Sequence, residues 1–400
     1  MKKTDSSLEY VCIFGGGAVR GMTYVGAIRA LEELGIDPEA VAGSSVGAVL
    51  AGLFAVGYNS EELAEVFKHV NFELFSDIHF GFGKDFALSK GGIFLEWIRE
   101  LIEQKYYGEK YIKGENPPVT FKDLEKNVVI ITTDLTNFKY KEFSKFETPD
   151  IEIAWAIRIS SSMPGLMKPI EYDGALLVDG DLQKSLPLWK ASKNLCPRAG
   201  RILEFRLEGD FEGKDQNAID FINTVYSCVT SLSTDFIIET YGNRDKFDYV
   251  KINTGSVIIV NFNLTQEKRQ EIMDIGYSQT MEYFNSILID KKHSILKQYR
   301  ILSKHAHKMK KYISAKRIKA AQIELGNLYM DLCTIKRYID LKYYDMINDF
   351  KDEFMKNLRP AGLFGSVALT NYDSVKSQIN SIIIELEERI MELESYVFHL

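Results

Sequence analysis

The chain has 400 residues, 46% of them hydrophobic and 26% charged, and a formal net charge of −7. That length exceeds what one core usually fills, so a large domain with an extension, or two domains, is expected; the acidic balance removes any general pull toward a nucleic-acid polymer. Four scattered cysteines, Cys12, Cys196, Cys228 and Cys333, form no CxxC pair and argue against a disulfide framework. The expected setting is cytoplasmic, peripheral at a membrane at most. The first residues lack the apolar stretch of a signal peptide, and no apolar run approaches the roughly 20 residues that span a bilayer.

In chain order, Val11 to Phe14 is a short β-branched apolar run ended by three glycines, which predicts a buried parallel strand. Met22 to Leu34 has apolar residues at helical spacing and stops at Gly35. Val41-Ala42 leads into Gly43-Ser44-Ser45-Val46-Gly47, and a second helix runs on to Gly57. Two strand–loop–helix units in sixty residues predict an α/β fold. A helix around Ile93 to Gln104 precedes a strand at Val128 to Thr133, with further strands at Ile202 to Leu207 and Val257 to Asn261. From about residue 290 glycine and proline thin out, and helices are expected over Lys316 to Asn357 and Ser374 to Ser395, broken around Pro360. The expected domains are therefore 1–290 and a helical extension over 291–400.

Three local patterns carry chemistry. Gly43-x-Ser45-x-Gly47 lies between a strand and a small-residue helix; such a turn pushes the serine Oγ out at the sheet top, and the glycines let neighbouring chains pass close. The following helix would aim its dipole and free N–H groups at an oxyanion. Gly15-Gly16-Gly17, followed by Ala18-Val19-Arg20-Gly21, can direct successive amides at one anion, with Arg20 alongside. Whether that anion is an acyl oxyanion or a phosphate is open on the residues alone, although neither a Walker lysine nor a complete G-x-G-x-x-G is present. For a base, the six histidines (His69, His79, His293, His305, His307, His399) leave residues 80–292 empty. The tail histidines read as part of a solvated face. Asp179-Gly180, at the end of the run Ala175 to Val178, is the better candidate, against the plainer reading of an Asx turn.

These pieces together resemble the patatin-like phospholipases. The resemblance rests on GGGAVRG, GSSVG and SSSMPGLMKPIEYDGALLVDG in that order, with TTDLTNFKYKEF between them and Leu186-Pro187 after the aspartate. It covers residues 10 to about 210. It implies a three-layer α/β/α fold with a mostly parallel central sheet and a Ser–Asp dyad: Ser45 as nucleophile, Asp179 as base, and Gly15, Gly16 and Gly17 as the oxyanion hole supported by Arg20. Neither cofactor nor metal is expected. One departure stands out. The family carries Asp-Gly-Gly or Asp-Gly-Ala where this chain has Asp179-Gly180-Asp181, and the extra carboxylate would either raise the pKa of the base by like-charge repulsion or point to solvent.

The expected function is a lipid acyl hydrolase of phospholipase A type acting through an acyl-enzyme, with a lipid or phospholipid substrate. The alternatives are a thioesterase or acyltransferase on the same dyad and a catalytically silent lipid-binding module. The aromatic segment Phe72 to Trp97 is read as a cap over the pocket or as core. Between Lys291 and Lys319 there are eleven Lys or Arg and no Asp or Glu. With Ile295, Leu296, Tyr299, Ile301 and Leu302 interleaved, this stretch is either a peripheral membrane contact or a solvated helix face. A homo-oligomer is left open.

Overall fold

The computed structural model describes residues 10–71, 75, 87–183, 201–209, 224, 225, 228, 247–255, 264–335, 339–361 and 366–395. The chain forms two compact units, one of residues 1–242 and 247–284 and one of residues 243–246 and 285–400.

The first unit is built on an eight-stranded sheet. Its elements in chain order are β1 Tyr10–Phe14, α1 Thr23–Glu33, β2 Ala40–Ser44, α2 Val46–Ala55, α3 Ser60–His69, β3 Ala87–Ser89 and α4 Gly92–Tyr107. There follow β4 Asn127–Asp134, β5 Lys139–Ser144, α5 Ile153–Ser160, β6 Gly165–Met167, β7 Ile170–Tyr172, β8 Ala175–Asp179, β9 Arg201–Glu208, β10 Phe247–Asn253 and α6 Gln266–Glu282. The sheet order is β10-β9-β1-β2-β4-β8-β7, with β5 also on β4, while β3 and β6 make a separate pair. Strands β10, β9, β1, β2 and β4 are mutually parallel; β5, β7 and β8 join antiparallel. Helices cover the parallel strands, and β1 and β2 are buried throughout, as strands walled on both faces must be.

The order reverses at β1. The chain leaves β1 for β2 on one side and returns to β9 on the other. The loops after β1 and β2 therefore open at a topological switch point, where open α/β sheets place their ligands. Those loops are Gly15–Gly21 and the Ser45 turn.

The second unit is helical: α7 Leu288–Ser314, α8 Ile318–Ile335, α9 Leu341–Lys356 and α10 Tyr372–Ser395, with a small hairpin of β11 Leu358–Pro360 and β12 Val367–Leu369. A one-turn π segment, Tyr283–Ile287, joins α6 to α7. The core of this unit comes from all four helices, including Tyr299, Met309, Leu328, Phe354 and Leu386.

Several expectations need correction here. The helix expected over Lys316 to Asn357 is two helices, because the Asp340 side chain accepts the Lys342 N–H and caps a new start. The interruption around Pro360 is the β11–β12 hairpin. The strand expected at Val257 to Asn261 falls outside the described residues; Phe247–Asn253 is a strand that the sequence reading did not include, parallel to β9. Four of the five apolar residues interleaved in the basic stretch do not face outward: Ile295, Leu296, Tyr299 and Leu302 are buried in the helical core, and Ile301 is partly exposed. Nor is His305 part of a solvated face. Its Nδ1 lies 2.6 Å from Glu324 and its Nε2 2.8 Å from Asp331, while His307 pairs with Glu387 at 2.7 Å.

Candidate active site

The site grows from the end of β2. Ser45 follows that strand with φ 53° and ψ −127°, a conformation that costs a non-glycine residue of order 1–3 kcal/mol. Its neighbours explain the glycines. A Cβ on Gly43 would collide with the Gly47 carbonyl oxygen, and one on Gly47 with the Phe14 carbonyl oxygen. The turn is thus packed backbone to backbone against the start of α2 and the end of β1. Ser45 itself is half-buried, open enough to meet a substrate, whereas Ser44 is buried.

A buried hydroxyl holds the turn in place. The Ser45 N–H donates to Ser160 Oγ at 3.0 Å, and Ser160 Oγ donates to the Ile131 carbonyl at 2.6 Å. The strained residue is therefore tied through the end of α5 to the neighbouring strand β4.

The strand pairing then brings Asp179 to the same place. Ile131 of β4 faces Ser44 of β2, and the next residue, Thr132, faces Asp179 of β8. Both Ile131 and Thr132 also pair with β5, which takes one edge of β4. Hence β2, running parallel to β4, and β8, running antiparallel, share the other edge and meet end to end. A Cβ on Gly180 would stand 3.1 Å from Ser44 Cβ, which measures how tightly the two ends abut. Asp179 is 1% exposed, with its N–H on the Ser162 carbonyl at 3.0 Å and its Oδ1 accepting the Asp181 N–H at 2.9 Å.

Behind Asp179 lies a buried arginine that sequence reading passed over. Arg158, on α5, gives Nη1 to Ser162 Oγ at 2.6 Å, Nε to the Gly91 carbonyl at 3.1 Å, and Nη2 to the Lys90 and Lys168 carbonyls at 2.6 and 3.1 Å. It clasps three chain segments together next to the residue whose carbonyl receives the Asp179 amide. Its only signal in the sequence is a charge on a helix that is otherwise apolar.

The glycine loop after β1 closes the site. The Gly15 N–H is committed to the Phe205 carbonyl at 3.1 Å, and the Gly16 N–H to Asp181 Oδ1 at 3.0 Å. This corrects the expectation that Gly15, Gly16 and Gly17 together face an oxyanion: two of the three amides already serve the fold. Gly17, at φ 153°, has no hydrogen bond from its N–H among the described residues. It is thus the first amide of the loop available to a ligand, followed by the N-terminal amides of the short 3-10 turn Ala18–Met22. Arg20 lies half-buried against Gly209 at the end of β9, and burial pushes its pKa below the ordinary value.

Asp181 does not point to solvent. It is 1% exposed, and its Oδ1 also accepts the Ser44 hydroxyl at 2.7 Å, with Arg206 Nη1 3.6 Å away. Arg206 Nε in turn reaches Glu204 at 2.5 Å.

Of the histidines, His69 stands exposed on α3 beside Glu65, while His79 and Leu186-Pro187 lie outside the described residues. The proposed aromatic cap lies mostly outside them too. Its described members, Phe75, Phe94 and Trp97, pack on one another with ring centroids 5.0–5.9 Å apart. Among the described residues no helix is long and apolar enough to cross a membrane, and no cluster of His, Cys, Asp and Glu could hold a metal.

Residues 12–192 match the model of the patatin-like phospholipase family. An uncharacterized protein of Acanthamoeba polyphaga mimivirus is 27% identical over 287 residues, covering 69% of this chain and 93% of that one. The lysophospholipase NTE1 of Debaryomyces hansenii is 27% identical over 191 residues, 45% of this chain but 11% of that much longer protein. Among solved structures, VipD from Legionella pneumophila aligns with a TM-score of 0.52 at 16% identity, covering 98% of this chain and 92% of that one, a likeness of fold.

Proposed function

Residues 12–192 belong to the patatin-like phospholipase family, and from that premise we propose that this chain is a lipid acyl hydrolase in which Ser45 and Asp179 form the catalytic dyad. The observation that supports the reading is the end-to-end meeting of β2 and β8 on one edge of β4, since one strand end leads into a strained, half-buried serine and the other ends on a buried carboxylate.

In this reading Asp179 takes the proton of Ser45 Oγ as that oxygen attacks an acyl carbonyl. The carbonyl oxygen, now negative, is met by the Gly17 amide and by the N-terminal end of α2, whose dipole favours an anion. The tetrahedral intermediate collapses to an acyl-serine and expels the alcohol, which leaves with the proton from Asp179. Water then repeats the attack with Asp179 again as base, releasing the fatty acid. With one oxygen held by the Asp181 N–H, the buried Asp179 carboxylate keeps a fixed orientation through both steps. The thioester and transacylation alternatives use the same steps with a different leaving group or acceptor.

Phospholipid is the substrate class this reading favours, because the family model and the lysophospholipase relative both point there. The test is incubation with mixed phospholipids and mass spectrometry of the products. Free fatty acid and lysolipid, absent with Ser45→Ala, are the expected result; intact lipid throughout would overturn the reading.

Membrane contact is a second element of the proposal. Around the α7–α8 turn Lys304, Lys310, Lys311, Lys316, Arg317 and Lys319 are exposed and make no ion pair among the described residues. With the apolar side of α7 buried, such contact would be electrostatic, through these cations on anionic headgroups, and not by insertion.

A further inference from the structure

Asp181 departs from the family's Asp-Gly-Gly or Asp-Gly-Ala, and its surroundings give it work that glycine or alanine could not do. One oxygen, Oδ1, accepts both the Gly16 N–H at 3.0 Å and the Ser44 hydroxyl at 2.7 Å. Gly16 belongs to the glycine loop after β1, and Ser44 immediately precedes the proposed nucleophile. The Asp181 backbone N–H meanwhile donates to Asp179 Oδ1 at 2.9 Å. One residue therefore touches the loop, the nucleophile strand and the base.

A carboxylate 1% exposed needs compensation, since burying a lone ion costs several kcal/mol. Arg206 stands 3.6 Å away and is itself buried. Burial alone would lower the Arg206 pKa, but Glu204 and Asp181 outweigh it and hold it above its ordinary value. Arg20 is a second cation in the field of Asp181. Two carboxylates and two guanidinium groups thus balance beneath the loop.

We infer that Asp181 is a positioning residue: by tying Gly16 to Ser44 through a single oxygen it sets the distance and direction of the loop's free amides relative to Ser45. The geometry gives the reason. With the Gly15 and Gly16 amides anchored, the chain turns at Gly17, in a backbone conformation open to glycine, and its amide is the first of the loop that makes no hydrogen bond among the described residues. Without the carboxylate the Gly16 amide loses its acceptor, the loop is free to rotate, and oxyanion donors misplaced by an ångström lose much of their effect.

This inference rests on the dyad reading, so the experiment separates the two. Wild type, Asp181→Ala, Asp181→Asn and Ser45→Ala are compared on a short, soluble acyl ester and by the rate of labelling with a fluorophosphonate, whose P=O oxygen needs the same donors. Asp181→Ala is expected to lower kcat and the labelling rate by about tenfold or more, with KM within about twofold, because oxyanion donors act in the transition state more than in substrate binding. Asp181→Asn keeps an acceptor oxygen for Gly16 and Ser44, and should recover most of both rates. Equal loss in Ala and Asn variants would mean that Asp181 only balances charge. Wild-type rates in Asp181→Ala would mean that it positions nothing. Should Asp181→Ala fail to fold, Ser44→Ala, which removes one of the two donors to Oδ1, supplies the comparison; it is expected to slow labelling by about threefold to tenfold, and wild-type labelling there would overturn the inference. A wild type that neither hydrolyses nor labels at Ser45 would overturn the dyad reading, and this inference with it.

Discussion

The two units of this protein bury different chemistry. Beneath its apolar core residues the sheet unit buries Asp179, Asp181, Glu204, Arg206, Arg158, Arg201 and Asp248, nearly all in hydrogen-bonded sets. The helical unit packs Tyr299, Met309, Leu328, Phe354 and their neighbours into an apolar core and leaves most of its charges outside. A buried charge must be paired or hydrogen-bonded to be tolerated, so an apolar core is the easier way to make a stable unit. Where a fold carries that cost repeatedly at the carboxyl ends of its strands, the groups concerned are held at defined distances, which is what a reaction requires. The pair at the opposite, amino-terminal strand ends, Arg201 with Asp248 at 2.7 and 2.9 Å, is the same device away from the loops that carry Ser45 and Asp179.

The contrast can be broken most directly at the proposed dyad. Ser45→Ala and Asp179→Asn should each lower kcat on a soluble ester by at least about a thousandfold while leaving the circular dichroism spectrum and unfolding midpoint near those of wild type. Near-normal turnover in Asp179→Asn would remove the base from the reading. The next largest effect concerns the outside of the helical unit. Replacing Lys310, Lys311, Lys316 and Lys319 by glutamate should weaken sedimentation with anionic vesicles about a thousandfold, at roughly 1 kcal/mol per charge, with strong salt dependence and no change in soluble-ester kinetics. A flat response across vesicles of graded charge would make this face a merely solvated one.

Two core substitutions sharpen the comparison at smaller cost. Arg158→Met strands the Lys90, Gly91 and Lys168 carbonyls and should lose about 3 kcal/mol of stability together with activity, because the clasp lies behind Asp179. Leu328→Ala should also cost about 3 kcal/mol, by leaving a cavity, but with kcat on a soluble ester unchanged at temperatures where the protein stays folded. Equal kinetic damage from both, followed by stopped assays below the unfolding midpoint, would show that the contrast between the units is not functional. The smallest effect expected is at His305. His305→Gln gives up its bonds to the Glu324 and Asp331 carboxylates and should cost about 1 kcal/mol in urea unfolding, limited because the Asp331 side chain is about half exposed.

Much of this architecture is legible in the residues because it is local. Strand, three glycines and helix, then strand, Gly-x-Ser-x-Gly and helix, are decided within a few residues by which side chains fit a tight backbone, as the collisions that a Cβ would meet at Gly43 and Gly47 make plain. The helical tail is legible for the same reason, since its apolar periodicity is a property of each helix by itself. Other features depend on contacts that sequence spacing does not encode. That the end of β8 abuts Ser44, so far away in the chain, follows from β2 and β8 sharing one edge of β4. That the apolar side chains of the basic stretch turn inward follows from three other helices covering them. The sequence leaves Asp181 between a neighbour of the base and a solvated charge, and gives Arg158 no role; only tertiary packing surrounds them with the carbonyls, amides and counter-charges that let them stay buried. Even the glycine loop is decided at both levels: its residues permit the turn, but the Phe205 carbonyl and the Asp181 carboxylate, brought there by β9 and β8, select which amides are tied to the fold.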